Sequence, residues 1–194
     1  DVAMADGARA HNIFSLHALE QTGRTMPRGE DLLTGGVPCY GVYPTKDGRW
    51  LAVGALEDKF WRTVCTTIGR PDLVAGHLAV GDEGARVRAE LDAVFGARTL
   101  ADWVARFGGV DACVTPVATL DEALRDEQFA ARGMVVTGAD GAHSYAPPWT
   151  ISGHAFRVAR DAPTQGEHTA EVLRAAGIDG AEIEAMFAAG VARR

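Results

Sequence analysis

The chain has no uninterrupted apolar run approaching the roughly 18 residues of a membrane span, so neither a spanning helix nor a membrane partner is expected. It has no Cys-x-x-Cys. Cys39, Cys65 and Cys113 form an odd, unclustered set, which speaks against a disulfide scaffold, offers no zinc pattern and fits a reducing cytoplasm. Basic charge is scarce, with 19 Lys plus Arg against 26 Asp plus Glu and a formal net charge of −7. That balance favours solubility and argues against nucleic acid as a partner, but a few local Arg residues would still suffice for an anionic ligand. No low-complexity tract and no internal repeat at a period of about 20–50 residues is visible. No initiator Met opens the chain and no charged-then-apolar signal region follows Asp1. The sequence therefore reads as processed, cut or incompletely represented.

What is present is ordinary for a globular protein. The 194 residues, 47% hydrophobic and 23% charged, can bury one domain, or one domain plus a piece of another. Apolar residues among alanines predict a helix over 2–23, ended by Gly23, and residues 24–36 read as a loop. A hairpin is expected over 39–45 and 49–55, with a two-residue turn at Asp47-Gly48. Phe60, Trp61, Val64, Cys65 and Ile68 place a helix over 58–68, and Val87, Leu91, Val94 and Phe95 place another over 83–95. Thr99 should cap a third, closed by Gly108-Gly109. Residues 110–117 predict a strand, Leu120–Leu124 and 126–132 helical turns, Met134–Thr137 a strand, and 138–148 a loop. Helices follow at 167–175 and 179–189. Residues 71–81 show no pattern. Trp50, Phe60, Trp61, Phe95, Trp103 and Phe107 are expected in the core, and Cys113 as an inert thiol buried in its strand. The composition change at 138–165 divides the chain into 1–36, 37–137 and 138–194.

Five strings, in order and at similar spacing, resemble the CaiB/BaiF family, the family III CoA-transferases that include α-methylacyl-CoA racemase. They are Asp1-Val-Ala-Met; Gly35-Gly36-Val37-Pro38 with Tyr43-Pro44-Thr45-Lys46-Asp47-Gly48; Ala52-Val53-Gly54-Ala55-Leu56-Glu57; Asp111-Ala112-Cys113-Val114-Thr115-Pro116-Val117; and Gly166-Glu167-His168-Thr169. The second to fourth are nearest the racemase-like branch. The resemblance implies an α/β protein. Residues 37–137 would be a small α+β domain with a short antiparallel sheet and flanking helices. Residues 1–36 and 138–194 would be remnants of a Rossmann-like large domain whose N-terminal portion is absent. It further implies a homodimer of interlocked chains, an acyl-CoA substrate, and no cofactor other than the coenzyme A that belongs to that substrate.

The resemblance also assigns roles. Asp1 matches the reacting carboxylate. In the transferases that group attacks the thioester and carries the acyl group as an anhydride; in the racemases it is one of two acid/base groups at the α-carbon. Without the family, Asp1 would read as a helix cap. Gly35 and Gly36 could close over the acyl group, since glycine backbone approaches a ligand closely, or could be a plain hinge. His168 reads as part of a helix start rather than a second base. Arg9, Arg24 and Arg28 could meet CoA phosphates or simply be solvated. At one place the chain departs from the racemases: Arg86, with Glu83 three residues earlier, stands near the position where they carry a small-domain Glu. Racemisation of a 2-methylacyl-CoA is the expected reaction. CoA transfer between carboxylic acids, and a dimerisation or binding fragment without catalysis, remain open.

Overall fold

The computed structural model describes residues 1–138, 141–154, 156 and 162–194. It divides into two compact units, Asp1–Val117 and Ala118–Arg194. The mixed α/β architecture expected from the sequence is the one that forms.

The first unit is built on an antiparallel sheet in the order β1 (Tyr40–Pro44), β2 (Trp50–Gly54), β3 (Val114–Pro116). Val42 lies opposite Ala52 and Ala52 opposite Thr115, so these three share one face. The alternate residues Tyr43, Leu51 and Val53 are buried on the other. The hairpin turns where predicted, but with three residues rather than two. Gly48 N–H donates to Thr45 C=O at 3.0 Å, Thr45 N–H to Arg49 C=O at 2.8 Å, and Gly48 has φ +70°. This is a tight turn closed by a glycine bulge, which only a residue free to take positive φ makes cheaply.

Helices cover the buried face. After α1 (Met4–Ala10) and α2 (Ile13–Thr22), which precede the sheet, come α3 (Asp58–Thr67), a 3-10 helix over Pro71–Gly76, α4 (Gly81–Phe95) and α5 (Leu100–Phe107). α3 buries Trp61, Val64 and Cys65; α4 buries Val87, Leu91 and Phe95. Tyr43, Phe95, Trp103 and Phe107 form a chain of ring contacts with centroids 5.1, 5.2 and 6.1 Å apart. The indole N–H groups find carbonyls, Trp61 at Val74 (3.1 Å) and Trp103 at Phe95 (2.8 Å), as buried donors must. Thr99 caps α5 in a reciprocal capping box with Asp102.

Several expectations need correction. The helix over 2–23 is two helices, because His11 and Asn12 donate backbone bonds three residues back while the His11 ring bonds the Gly7 carbonyl at 2.8 Å. Neither α1 nor α2 buries a residue. The strand over 110–117 is reduced to Val114–Pro116, because Cys113 takes φ +53° and breaks the extended run. Cys113 is accordingly exposed, not buried. Trp50 sits on the open face of the sheet and is half exposed, outside the core.

In the second unit a capping box at Thr119 starts α6 (Leu120–Ala123), and the Asp126 carboxylate caps α7 (Glu127–Ala131). β4 (Val135–Thr137) pairs antiparallel with β5 (His143–Tyr145), so the expected loop over 138–148 contains a strand. Residues 139 and 140 of that loop, and part of the 138–165 composition change, lie outside the described residues. α8 (Thr169–Ala175) packs with α9 (Gly180–Ala188), which buries Ile183.

Candidate functional site

A hollow of about 510 Å³ lies on the open side of the sheet in the first unit. It is lined by the small or apolar residues Gly41, Val42, Ala52 and Gly54, and by Tyr40 and Leu33. Three groups at its margin can do more than fill space. Gly35 brings backbone to the rim, Cys113 brings a thiol, and Arg88 brings a guanidinium from α4.

The sequence singled out Gly35 and Gly36, and their geometry explains why glycines stand there. Gly35 has φ +106°. A Cβ on Gly36 would collide with the Glu30 carbonyl, a backbone atom that cannot swing aside. Of the pair, Gly35 lines the hollow.

A second, larger groove of about 1150 Å³ is lined by α1, α2 and the loop after them. Ile13, Leu16, Leu19 and Met26 give it an apolar wall; Arg9 and Arg28 line it together with Asp6 and Asp31, and Arg24 does not. Asp1 is exposed and lines neither concavity. Nor does it cap the helix, since the N-cap residue of α1 is Ala3, without a side-chain cap bond.

Several histidines have structural partners. His77 Nε2 lies 3.1 Å from the Ala55 carbonyl and its ring stacks on Trp61; His143 Nδ1 lies 3.2 Å from Thr137 Oγ1. In Gly166-Glu167-His168-Thr169 it is Glu167 that organises the turn, accepting from the Thr164 N–H at 2.7 Å, while the His168 ring makes no cap bond. Among the described residues no group of three or more His, Cys, Asp or Glu is placed to hold a metal ion, and no helix is long and apolar enough to cross a membrane. Arg86 is spoken for. It pairs with Glu83 at 2.7 Å and Glu90 at 3.3 Å, and Glu90 also holds Arg70, which joins α4 to the 3-10 helix.

Thiol chemistry separates the cysteines. Burial pushes Cys39 up to about 11 and Cys65 up to about 12, so both stay protonated and inert at neutral pH. Cys113 and Arg88 at the hollow were not foreseen. Arg88 had a signal: it flanks the buried stripe Val87, Leu91, Phe95, where a long side chain can run its stem along apolar surface and deliver its head elsewhere. Cys113 had none, since a positive φ at a non-glycine residue leaves no mark in composition or periodicity.

The profile of CoA-transferase family III matches residues 1–169. The human α-methylacyl-CoA racemase is 34% identical over 185 residues, covering 94% of this chain and 48% of that protein. The mouse racemase is 35% identical over 158 residues, covering 81% and 42%. A CaiB/BaiF family protein from Brucella suis has the same fold, with a TM-score of 0.62 at 20% identity over 85% of this chain and 44% of that one. The chain belongs to CoA-transferase family III. It spans about half the length of the curated relatives it matches.

Proposed function

We propose that the protein carrying this chain is an acyl-CoA-processing enzyme that moves a proton at the α-carbon of a 2-methylacyl-CoA. The observation that carries this reading is the 34% identity to a racemase sustained over 94% of the chain. In it, residues 37–137 are the small domain, and residues 1–36 and 138–194 belong to the large one. Asp1 removes or returns the α-proton through an enolate, a task for a positioned carboxylate. Gly35 and Gly36 bring backbone close to the acyl group, and the hollow beside Gly35 receives its apolar part. Coenzyme A enters as part of the substrate, with no resident cofactor. The exposed apolar side chains of α1 and α2, such as Ile13 and Phe14, support burial against a second, interlocked copy. The three uncrosslinked cysteines support a cytoplasmic location.

CoA transfer through an aspartyl anhydride is the second reading. What supports it is Arg86, tied to Glu83 and Glu90 near the position where the racemases carry a small-domain Glu. Isotopes separate the two in the complete protein. A racemase washes deuterium from solvent into the α-position with no acceptor acid present; a transferase needs the acceptor and yields an acyl-enzyme that hydroxylamine traps. Asp1→Asn should lower either activity by about 10² or more. Full activity in that variant removes Asp1 from the mechanism, and absence of both reactions in the intact protein leaves a binding module.

A further inference from the structure

Arg88 does something that neither the family assignment nor the pairing of α4 with the core requires. Its guanidinium leaves the helix and spans two separate pieces of chain: Nη2 donates to the Val42 carbonyl at 2.9 Å and Nη1 to the Gly35 carbonyl at 3.3 Å. β1 is an edge strand, so a carbonyl on its outer side has no ladder partner, and Arg88 supplies one at Val42. The same guanidinium lies 4.8 Å from the ring centre of Tyr43, whose hydroxyl donates to the Pro38 carbonyl at 2.5 Å. Gly41 leaves the seat open: a Cβ there would come within 2.8 Å of Arg88 Nη1. Two carbonyls, one ring face and one glycine thus converge on a single planar cation, a combination that a lysine ammonium cannot reproduce.

We infer that Arg88 is a latch that fixes the Gly35 turn against the edge of β1 and so sets the opening of the hollow. It is a positioning residue, acting on the rim through Gly35 rather than on a reacting atom. Its bearing on acyl binding rests on the proposed function; the latch itself rests on the contacts above.

The test reads the turn directly. The Thr34 and Gly36 N–H groups both donate to Asp31 C=O at 3.0 Å, and their hydrogen exchange reports whether the turn stays closed. Arg88→Gln should speed exchange at both by about tenfold, the scale of one charge-assisted hydrogen bond, while β2 and α3 amides keep their protection. Arg88→Lys, which keeps the charge but not the fork, should restore only part. Gly41→Ala, which must displace the guanidinium with Arg88 still present, should open the turn as well, and it decides the matter if Arg88→Gln does not fold. Unchanged exchange at Thr34 and Gly36 in a folded variant overturns the latch, as does acceleration spread equally over the whole unit. In the complete protein, decanoyl-CoA should bind several-fold more weakly to Arg88→Gln. A loosened turn with unchanged decanoyl-CoA binding would keep the latch and remove the hollow from the acyl site.

Discussion

Asp47, in the turn of the hairpin, accepts a hydrogen bond at 3.1 Å from the backbone N–H of Leu100, 53 positions further along. Leu100 opens α5, so the carboxylate lies at the positive end of that helix and satisfies a donor no intrahelical carbonyl can reach. The neighbouring Lys46 N–H donates to the Arg98 carbonyl at 2.9 Å, and Thr45 Oγ1 donates to Asp47 at 2.5 Å. The turn is therefore a tertiary joint as well as a reversal of direction.

The Thr45 hydroxyl first, and the Leu100 N–H after it, hold the Asp47 carboxyl below the usual carboxylate range. A depressed folded-state pKa stabilises the protein above the ordinary Asp value and loses that contribution as pH falls through the lowered one. Asp47→Asn should therefore lower the urea midpoint at pH 7. The difference from the parent should shrink below about pH 4, where the unfolded chain's Asp also becomes protonated. Urea titrations at pH 7 and pH 3 check it; an equal difference at both would contradict the account.

Thiol reagents should distinguish the cysteines. Cys113 is exposed, whereas Cys39 and Cys65 are fully buried with raised pKa values. At pH 8 a disulfide reagent should label Cys113 within minutes and the other two only on unfolding, as mass spectrometry of tryptic peptides would record. Rapid native labelling of Cys65 would mean that α3 opens locally.

Glycine substitutions should split by what a methyl group meets. Gly36→Ala drives a Cβ into the Glu30 carbonyl and should cost about 1–3 kcal/mol, the range for forced overpacking. Gly7→Ala, inside α1 with nothing within 4 Å, should instead raise helicity by up to about 1 kcal/mol. Denaturant midpoints and circular dichroism measure both.

Truncation should follow burial. Leu91 is completely buried in α4, and Leu91→Ala should destabilise by about 2–5 kcal/mol. Val42 is 43% exposed on the open face of the sheet, and Val42→Ala should stay within about 0.5 kcal/mol. A large loss at Val42 would mean that this face is already covered in solution.

The sequence by itself determined the elements whose causes are local. The period of Trp61, Val64 and Ile68 made α3, Thr99 with Asp102 started α5, and Asp47-Gly48 reversed the chain between β1 and β2, because each cause acts within a few residues of its effect. It also carried the family, whose strings at Gly35 and Asp111 survive as sequence whatever surrounds them. Only the tertiary structure decided that Cys113 faces solvent and that Trp50 stays outside the core. It alone decided that Arg88 reaches Gly35 and Val42, 53 and 46 positions away. Those outcomes depend on which distant carbonyl or ring lies within about 3–5 Å, the reach of a hydrogen bond or a ring contact. A side chain selects among such partners only after packing has brought them together.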